Sequence, residues 1–373
     1  MFKLLLILIF VRPFFSSRVY PDLNLIYSFL FLGFLAFWVI RKGLSLKQTL
    51  PLKYPFGLFL LAIIIAVIFS PNKAKSFCEL YKYISCLLLF LITISFQKKD
   101  KTQIIDVILW AGLAIGAMAF YQYFFAFGRT LSYLTGENIS DPFAVEFLQR
   151  QRVLMPFVSP NTLGGYLAML LPLALLKKSR AWYIVPLAGA LLLTKSLGAL
   201  SSLFLALCVY LYLQKAWQKR KVVLLGLLLL TIGIIFFARQ TGQPLHTQPS
   251  FSTGMRLNYW QDTFQIILAH PLTGIGLGNF NLHQARYAHN SYLQIWAEMG
   301  ILGLISFLWL VIAALRYAWK NKNKETALLL ATVLVFLIHN FVDFSFFLPE
   351  VSLIWWAIMG LLISSTIQEN QIR

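Results

Sequence analysis

His289 stands directly before an apolar run, in "AHNSYLQIWAEMGILGLISFLWL" at 288–310, and Glu298 lies nine residues further on. Asn290 or Ser291 is a good N-cap, so a helix is expected to start there with His289 at its mouth. The positive end of a helix dipole disfavours imidazolium, so the ring is expected to be neutral and able to act as a general base. Free N–H groups at the same helix end would attract phosphate. The other reading is an interfacial histidine that only hydrogen-bonds a loop. Glu298 falls about two and a half turns deeper. A carboxyl at that depth is costly, so it either meets a basic group or hydrogen-bonds a broken helix. His339 and Asp343, in "HNFVDFSFFLPE" at 339–350, are spaced i, i+4. That spacing puts both on one helix face, as a carboxylate orienting a histidine or as a packing pair between spans.

Cations gather in the flanking stretches. Arg256 lies in "MRLNYWQDTFQIILA" at 255–269, where Leu257, Trp260, Phe264 and Ile267 or Leu268 form one helical stripe. This predicts an amphipathic helix at a membrane interface, with Arg256 in its first turn and Ser252, Thr253 or Gly254 as cap. The glycines of "HPLTGIGLGNF" at 270–280 resemble a phosphate-cradling loop, but without a preceding strand or a Gly-Lys-Ser/Thr ending. A turn back to the membrane explains them as well. Arg150 and Arg152 precede Pro160 and Asn161, and Lys195 sits in "LLLTKSLGALSSLF" at 191–204. Together these residues put several cations and a histidine on one face, where an anionic lipid-linked substrate would bind.

The elements that must position them are membrane helices. The chain has 373 residues, 59% hydrophobic and 12% charged, against roughly 25% charged in a soluble domain. Apolar runs fall near 3–15, 23–40, 55–70, 79–96, 104–127, 162–176, 181–194, 197–213, 222–238, 300–318, 326–346 and 351–367. The expectation is an all-α polytopic membrane protein of about twelve transmembrane helices, forming a single domain over 1–373. The opening "MFKLLLILIFV" resembles a signal-peptide core, yet Arg12 and Pro13 break it and no small-residue cleavage site follows. It reads as a short first span or re-entrant segment.

The net charge of +19 would suggest nucleic acid in a soluble chain. Here it marks topology instead. One alternating set of loops (41–53, 97–101, 177–180, 215–221, 316–324 and the C-terminus) holds 19 Lys and Arg, and the other set holds 11. The richer set is cytoplasmic by the positive-inside rule, with both termini inside. The long loops 128–161 and 239–299 then face outward and carry the working surface. Cys78, Cys86 and Cys208 form no CxxC pair, which excludes a disulfide framework and a thiolate metal site.

"TGIGLGNF" and "AHNSYLQIWAEMGILGLISF", preceded by "MRLNYWQDTFQIILAHPL", resemble the O-antigen ligase and polymerase superfamily. "FVSPNTLGGYLAMLLPLAL" is similar to that family's Pro-Asn segment, and "HNFVDFSFFLPE" to its later histidine–aspartate segment. The likeness covers roughly 145–367. It implies a C-type glycosyltransferase fold in the bacterial inner membrane, with a large periplasmic loop carrying short helices. It also implies transfer of a glycan from undecaprenyl diphosphate to an acceptor hydroxyl at the periplasmic face, without metal or cofactor. By resemblance His289 is the general base and Arg256 binds the diphosphate. Arg152 lies where a basic residue is common, and Asn161, Glu298, His339 and Asp343 are supporting residues. The family's Ser-Arg-Gly stretch is replaced here by "TKSLGAL", with Leu197 at the arginine position. Lys195 would supply the charge, though a point charge is not a bidentate fork. Three readings follow: a ligase acting on lipid A core, a polymerase extending the repeat-unit chain, and a transporter. The last wants paired charges near the bilayer midplane, whereas the ionisable residues here collect toward the outer face.

Overall fold

The computed structural model describes residues 1–43, 52–136, 147–177, 180–241, 248–283, 285–320 and 323–372. Of the loop cations counted above, Lys47, Lys178, Lys322 and Arg373 lie outside them.

Apolar segments in lipid must satisfy every backbone group internally, which leaves them the helix. Each expected run does fall on one: α1 (Phe2–Val11), α2 (Pro21–Lys42), α3 (Lys53–Ile68), α4 (Lys73–Ile94), α5 (Lys98–Tyr121), α6 (Phe127–Gly136), α7 (Pro160–Ala174), α8 (Arg180–Thr194), α9 (Leu197–Leu213), α10 (Lys219–Gln240), α11 (Pro249–Ala269), α12 (Ser291–Trp319), α13 (Lys324–His339) and α14 (Pro349–Ile372), with α6 and α11 added in the two long loops. No strand occurs among the described residues. Among the described residues, six stretches are long and apolar enough to cross a membrane: α2, α4, 98–132, α10, α12 and 349–368. The chain is therefore a multi-pass membrane protein. Helix α1 has ten residues, about 15 Å of helix, and a 3-10 turn at Arg12–Phe14 follows it.

The core centres on α7 and α14. Every residue of α7 after Asn161 is buried through Ala174, and 94% of the apolar window of α14 is buried. Helix α14 packs on α4, α12 on α3, and α13 on α7 and α9. Helix α10 is the opposite case, burying only Leu225 and Arg239.

Two expectations about element ends change. Helix α11 begins at Pro249, with Gln248 as N-cap, so Arg256 lies two turns in and Ser252 is not its cap. Proline at the first helical position is preorganised for a helix start. Its stripe also divides: Ile267 is buried with Tyr259 and Thr263, while Leu257, Phe264 and Leu268 are exposed. Helix α13 stops at His339, so Asp343 lies beyond it and the two do not share a helix face. Asn340 ends the helix by placing its amide into neighbouring chain: Nδ2 donates to Phe336 O, while Oδ1 accepts from Ser291 Oγ and Phe346 N. Helix α12 starts at Ser291 and bends at Gly300, whose φ is +67°.

Candidate active site

Asn290 caps α12 as expected, its Oδ1 accepting from Tyr292 N and Leu293 N. Ser291 N donates to Asn340 O, and Gln294 N to Asn290 O. The first-turn donors are thus all committed, and this helix end does not offer the phosphate cradle its sequence suggested. The glycine loop is committed too. Gly274 N, Ile275 N, Gly276 N and Gly278 N donate to His270 O, Ala297 O, Glu298 O and Glu298 Oε2. It is a turn that docks on the bend of α12.

Glu298 is the post for that turn. It is 2% exposed. Its Oε2 takes Gly278 N at 2.8 Å and its Oε1 takes Gln294 Nε2 at 2.9 Å. Gln294 Oε1 in turn accepts from Ala288 N at 3.2 Å. A continuous chain of hydrogen bonds therefore runs from the glycine turn through Glu298 to the residue preceding His289.

His289 has a left-handed φ of 52°. Its ring stacks on Tyr259 at 5.7 Å and meets Phe344 edge-on at 4.8 Å. Nδ1 is buried without a hydrogen-bond partner, which leaves Nε2 as the nitrogen open to the cavity that the ring lines. Burial, then the Arg256 charge, pushes the ring down to about 4, against the pull of Asp343. The imidazole is neutral at physiological pH, as its sequence suggested, but the physical cause is burial beside a cation.

The cavity measures about 250 Å³ and is lined by Arg18, Arg152, Arg239, Arg256 and Arg286, with His289 and Asn161 and, among the described residues, no carboxylate. Its guanidiniums arrive from five separate segments of chain. Arg152 is held by Nε to Thr194 O at 3.0 Å and Nη2 to Asn161 Oδ1 at 3.0 Å. The loop delivering it is fixed by Gln122 in the π-helical turn after α5, whose Oε1 accepts from Leu154 N and Met155 N. Arg256 donates from Nε to Val342 O at 3.1 Å and from Nη1 to Ser252 Oγ at 2.9 Å. Arg239, at the end of α10, donates to Lys195 O at 3.2 Å. Burial, then the charges of Arg239, Arg256 and Arg150, pushes Arg152 well below its ordinary range. A guanidinium in a protein keeps its proton, so the cost remains as repulsion that a bound anion would relieve.

A second recess of about 140 Å³ adjoins this one, lined by Asn161, Leu197, Arg239, Ser252, Arg256 and His339 among others. There His339 Nε2 lies 3.1 Å from Asn161 O and 3.4 Å from Asp343 Oδ2. Ser345 Oγ also donates to Asp343. A Cβ on Gly165 would overlap the His339 ring, so the ring packs flat on the first turns of α7. The pair belongs to the wall, beside the cations.

Of the residues singled out from sequence, the structure brings His289, Arg256, Arg152 and Asn161 to the cavity and puts Glu298, His339 and Asp343 behind it. Lys195 is not brought there; its ammonium donates to Arg150 O at 2.8 Å. Arg239, Arg18 and Arg286 were not singled out. The available signal for Arg239 was a single arginine closing the 22-residue apolar run of α10. Among the described residues no group of three His, Cys, Asp or Glu is placed to hold a metal ion.

No curated protein matches the chain. A family model described as O-antigen ligase matches residues 182–308. The matched span contains Arg239, Arg256, His289 and Glu298; Arg152, Asn161, His339 and Asp343 lie outside it. Residues 182–308 are thus similar to the O-antigen ligase family.

Proposed function

We propose that this protein moves a glycan from undecaprenyl diphosphate to a hydroxyl of lipid A core, at the periplasmic face of the bacterial inner membrane. The observation that carries this reading is one cavity in which arginines from distant segments face a neutral histidine nitrogen, with no carboxylate among the described lining residues. The diphosphate sits among Arg152, Arg239 and Arg256. The acceptor oxygen attacks the anomeric carbon and gives its proton to His289 Nε2. The bond from that carbon to the diphosphate oxygen breaks, and its electron pair leaves with the diphosphate, whose growing charge the guanidiniums stabilise. Attack opposite the leaving group inverts the anomeric centre. The donor's polyprenyl tail remains in the bilayer.

The test is glycan transfer in a strain lacking its own ligase, supplied with a matched lipid-linked donor and its native core. Wild type is expected to decorate the core, and His289→Ala at equal membrane abundance to lose about 10²–10⁴-fold in rate, the usual contribution of a general base. A bare core with lengthening lipid-linked chains would replace the ligase by a polymerase. No change in either product would overturn the transferase reading.

A further inference from the structure

A second, larger cavity lies away from the arginines. It measures about 730 Å³ and opens between α7, α8, α9 and α10. Its wall is aliphatic, with Leu175, Ala188, Leu207 and Leu228 from the four helices. Its polar residues are confined to one end and include Lys221, in the first turn of α10, and Lys324, which starts α13. That end is opposite the arginine cavity, since α9 and α10 run from Ser196 and Lys219 in opposing directions and α13 finishes at His339. No carboxylate lines the space, and no ion pair to either lysine occurs among the described residues.

An apolar slot capped by two unneutralised ammonium groups has one chemical complement in a bilayer: an acyl chain joined to an anionic headgroup. Basic pockets between transmembrane helices bind such headgroups. The volume is in the range of ordinary lipid and cofactor pockets, roughly 300–1,000 Å³.

The position of α10 supports the same occupant. This helix buries only Leu225 and Arg239 of its 22 residues. Leu224, Leu225 and Leu228 line the slot. An acyl chain there would add dispersion contacts to these side chains and would fix the helix whose other end presents Arg239 to the arginine cavity.

We propose that this slot is a binding site for an anionic glycerophospholipid, with one acyl chain between α8, α9 and α10 and its phosphate held by Lys221 and Lys324. The site is independent of the transfer reaction and does not require that reading to be correct.

The experiment is native mass spectrometry of the purified full-length protein in detergent. Phosphatidylglycerol, phosphatidylcholine and a polyprenyl monophosphate are titrated separately, and thermal melting checks each variant's fold. Wild type is expected to retain phosphatidylglycerol in preference to the other two. The Lys221→Gln, Lys324→Gln double variant is expected to bind it about tenfold more weakly, and Ala188→Phe, which fills the slot without touching the lysines, to lose the same adduct. Equal retention of phosphatidylcholine would remove the headgroup from the proposal. Preference for the polyprenyl phosphate would give the slot to a donor tail. Phosphatidylglycerol binding unchanged in both variants would place the lipid elsewhere. Each of those results overturns the proposal.

Discussion

At His289 the question is which ring nitrogen holds the proton. Nε2 opens on the cavity while Nδ1 is buried and unpartnered, so a base at Nε2 requires the tautomer with its proton on Nδ1. Burial and Arg256 hold the ring at about 4. Above that pH it is neutral and competent. The profile of kcat/KM, which reports the free enzyme, is therefore expected to keep its acid limb near pH 4 and to show no limb at the ordinary histidine value of about 6.5. The stability consequence has the same sign. Between pH 6.5 and 4 the unfolded ring takes up a proton that the folded ring refuses, so this group's contribution is complete above 6.5 and falls as pH drops toward 4. An acid limb at 6.5 would mean a solvated ring and no buried base. Residue type and order were legible in the sequence here, but side-chain direction was not. Lys195 looked like the replacement for a missing arginine at Leu197, yet its left-handed backbone, φ 50°, turns the ammonium to Arg150 O. Arg239 enters the sequence reading only in the count of loop cations, and it reaches the cavity.

At the scale of elements, the bend in α12 decides where His289 is held. Ile301 N donates to Pro271 O across the break, and a Cβ on Gly300 would overlap the Leu272 carbonyl. In an unbroken helix glycine costs about 1 kcal/mol relative to alanine, so Gly300→Ala would stabilise. Here the left-handed backbone, φ +67°, reverses the sign. With ψ −175° the backbone lies in a region essentially reserved for glycine, and a non-glycine residue pays about 1–3 kcal/mol there, before any cost of the overlap. Gly300→Ala is expected to lower the melting temperature in detergent and to reduce transfer together with it; a raised melting temperature would mean that α12 straightens at no cost. Apolar runs made the spans readable because lipid leaves the backbone one solution. Their ends were harder. The start of α11 was missed because the apolar stripe begins later than Pro249, and the end of α13 because Asn340 answers to Ser291 and Phe346, partners distant in sequence. The role of Glu298 needed the same long-range information, since Gly278 lies twenty residues before it.

Four of the five acid–base pairs among the described residues lie near helix ends; the fifth, Glu79–Lys82, lies within α4. His339–Asp343 and Arg12–Glu350 lie at the cavity end, Lys101–Glu325 and Lys177–Asp106 at the other. This distribution suits a surface reaction better than a midplane pathway. Arg12 also explains how the short α1 is held. Counted from sequence as an outer-loop charge, it is 1% exposed and faces a fully buried Glu350 at 3.5 Å. It donates to Asn24 Oδ1 at 2.7 Å and Phe15 O at 3.2 Å, while Ser17 N donates to Glu350 Oε1 at 3.0 Å. The first forty residues are thereby joined to the start of α14, the most buried span. Removing one partner of such a pair leaves an uncompensated charge and costs about 3–5 kcal/mol, whereas replacing both with apolar residues of similar volume is often neutral or better. Glu350→Ala is expected to destabilise the protein strongly in detergent denaturation, and Arg12→Met with Glu350→Leu to recover most of that loss. If the double variant were as unstable as Glu350→Ala, the hydrogen bonds to Asn24 and Ser17, and not the charge pair, would be what binds the amino-terminal segment to the core.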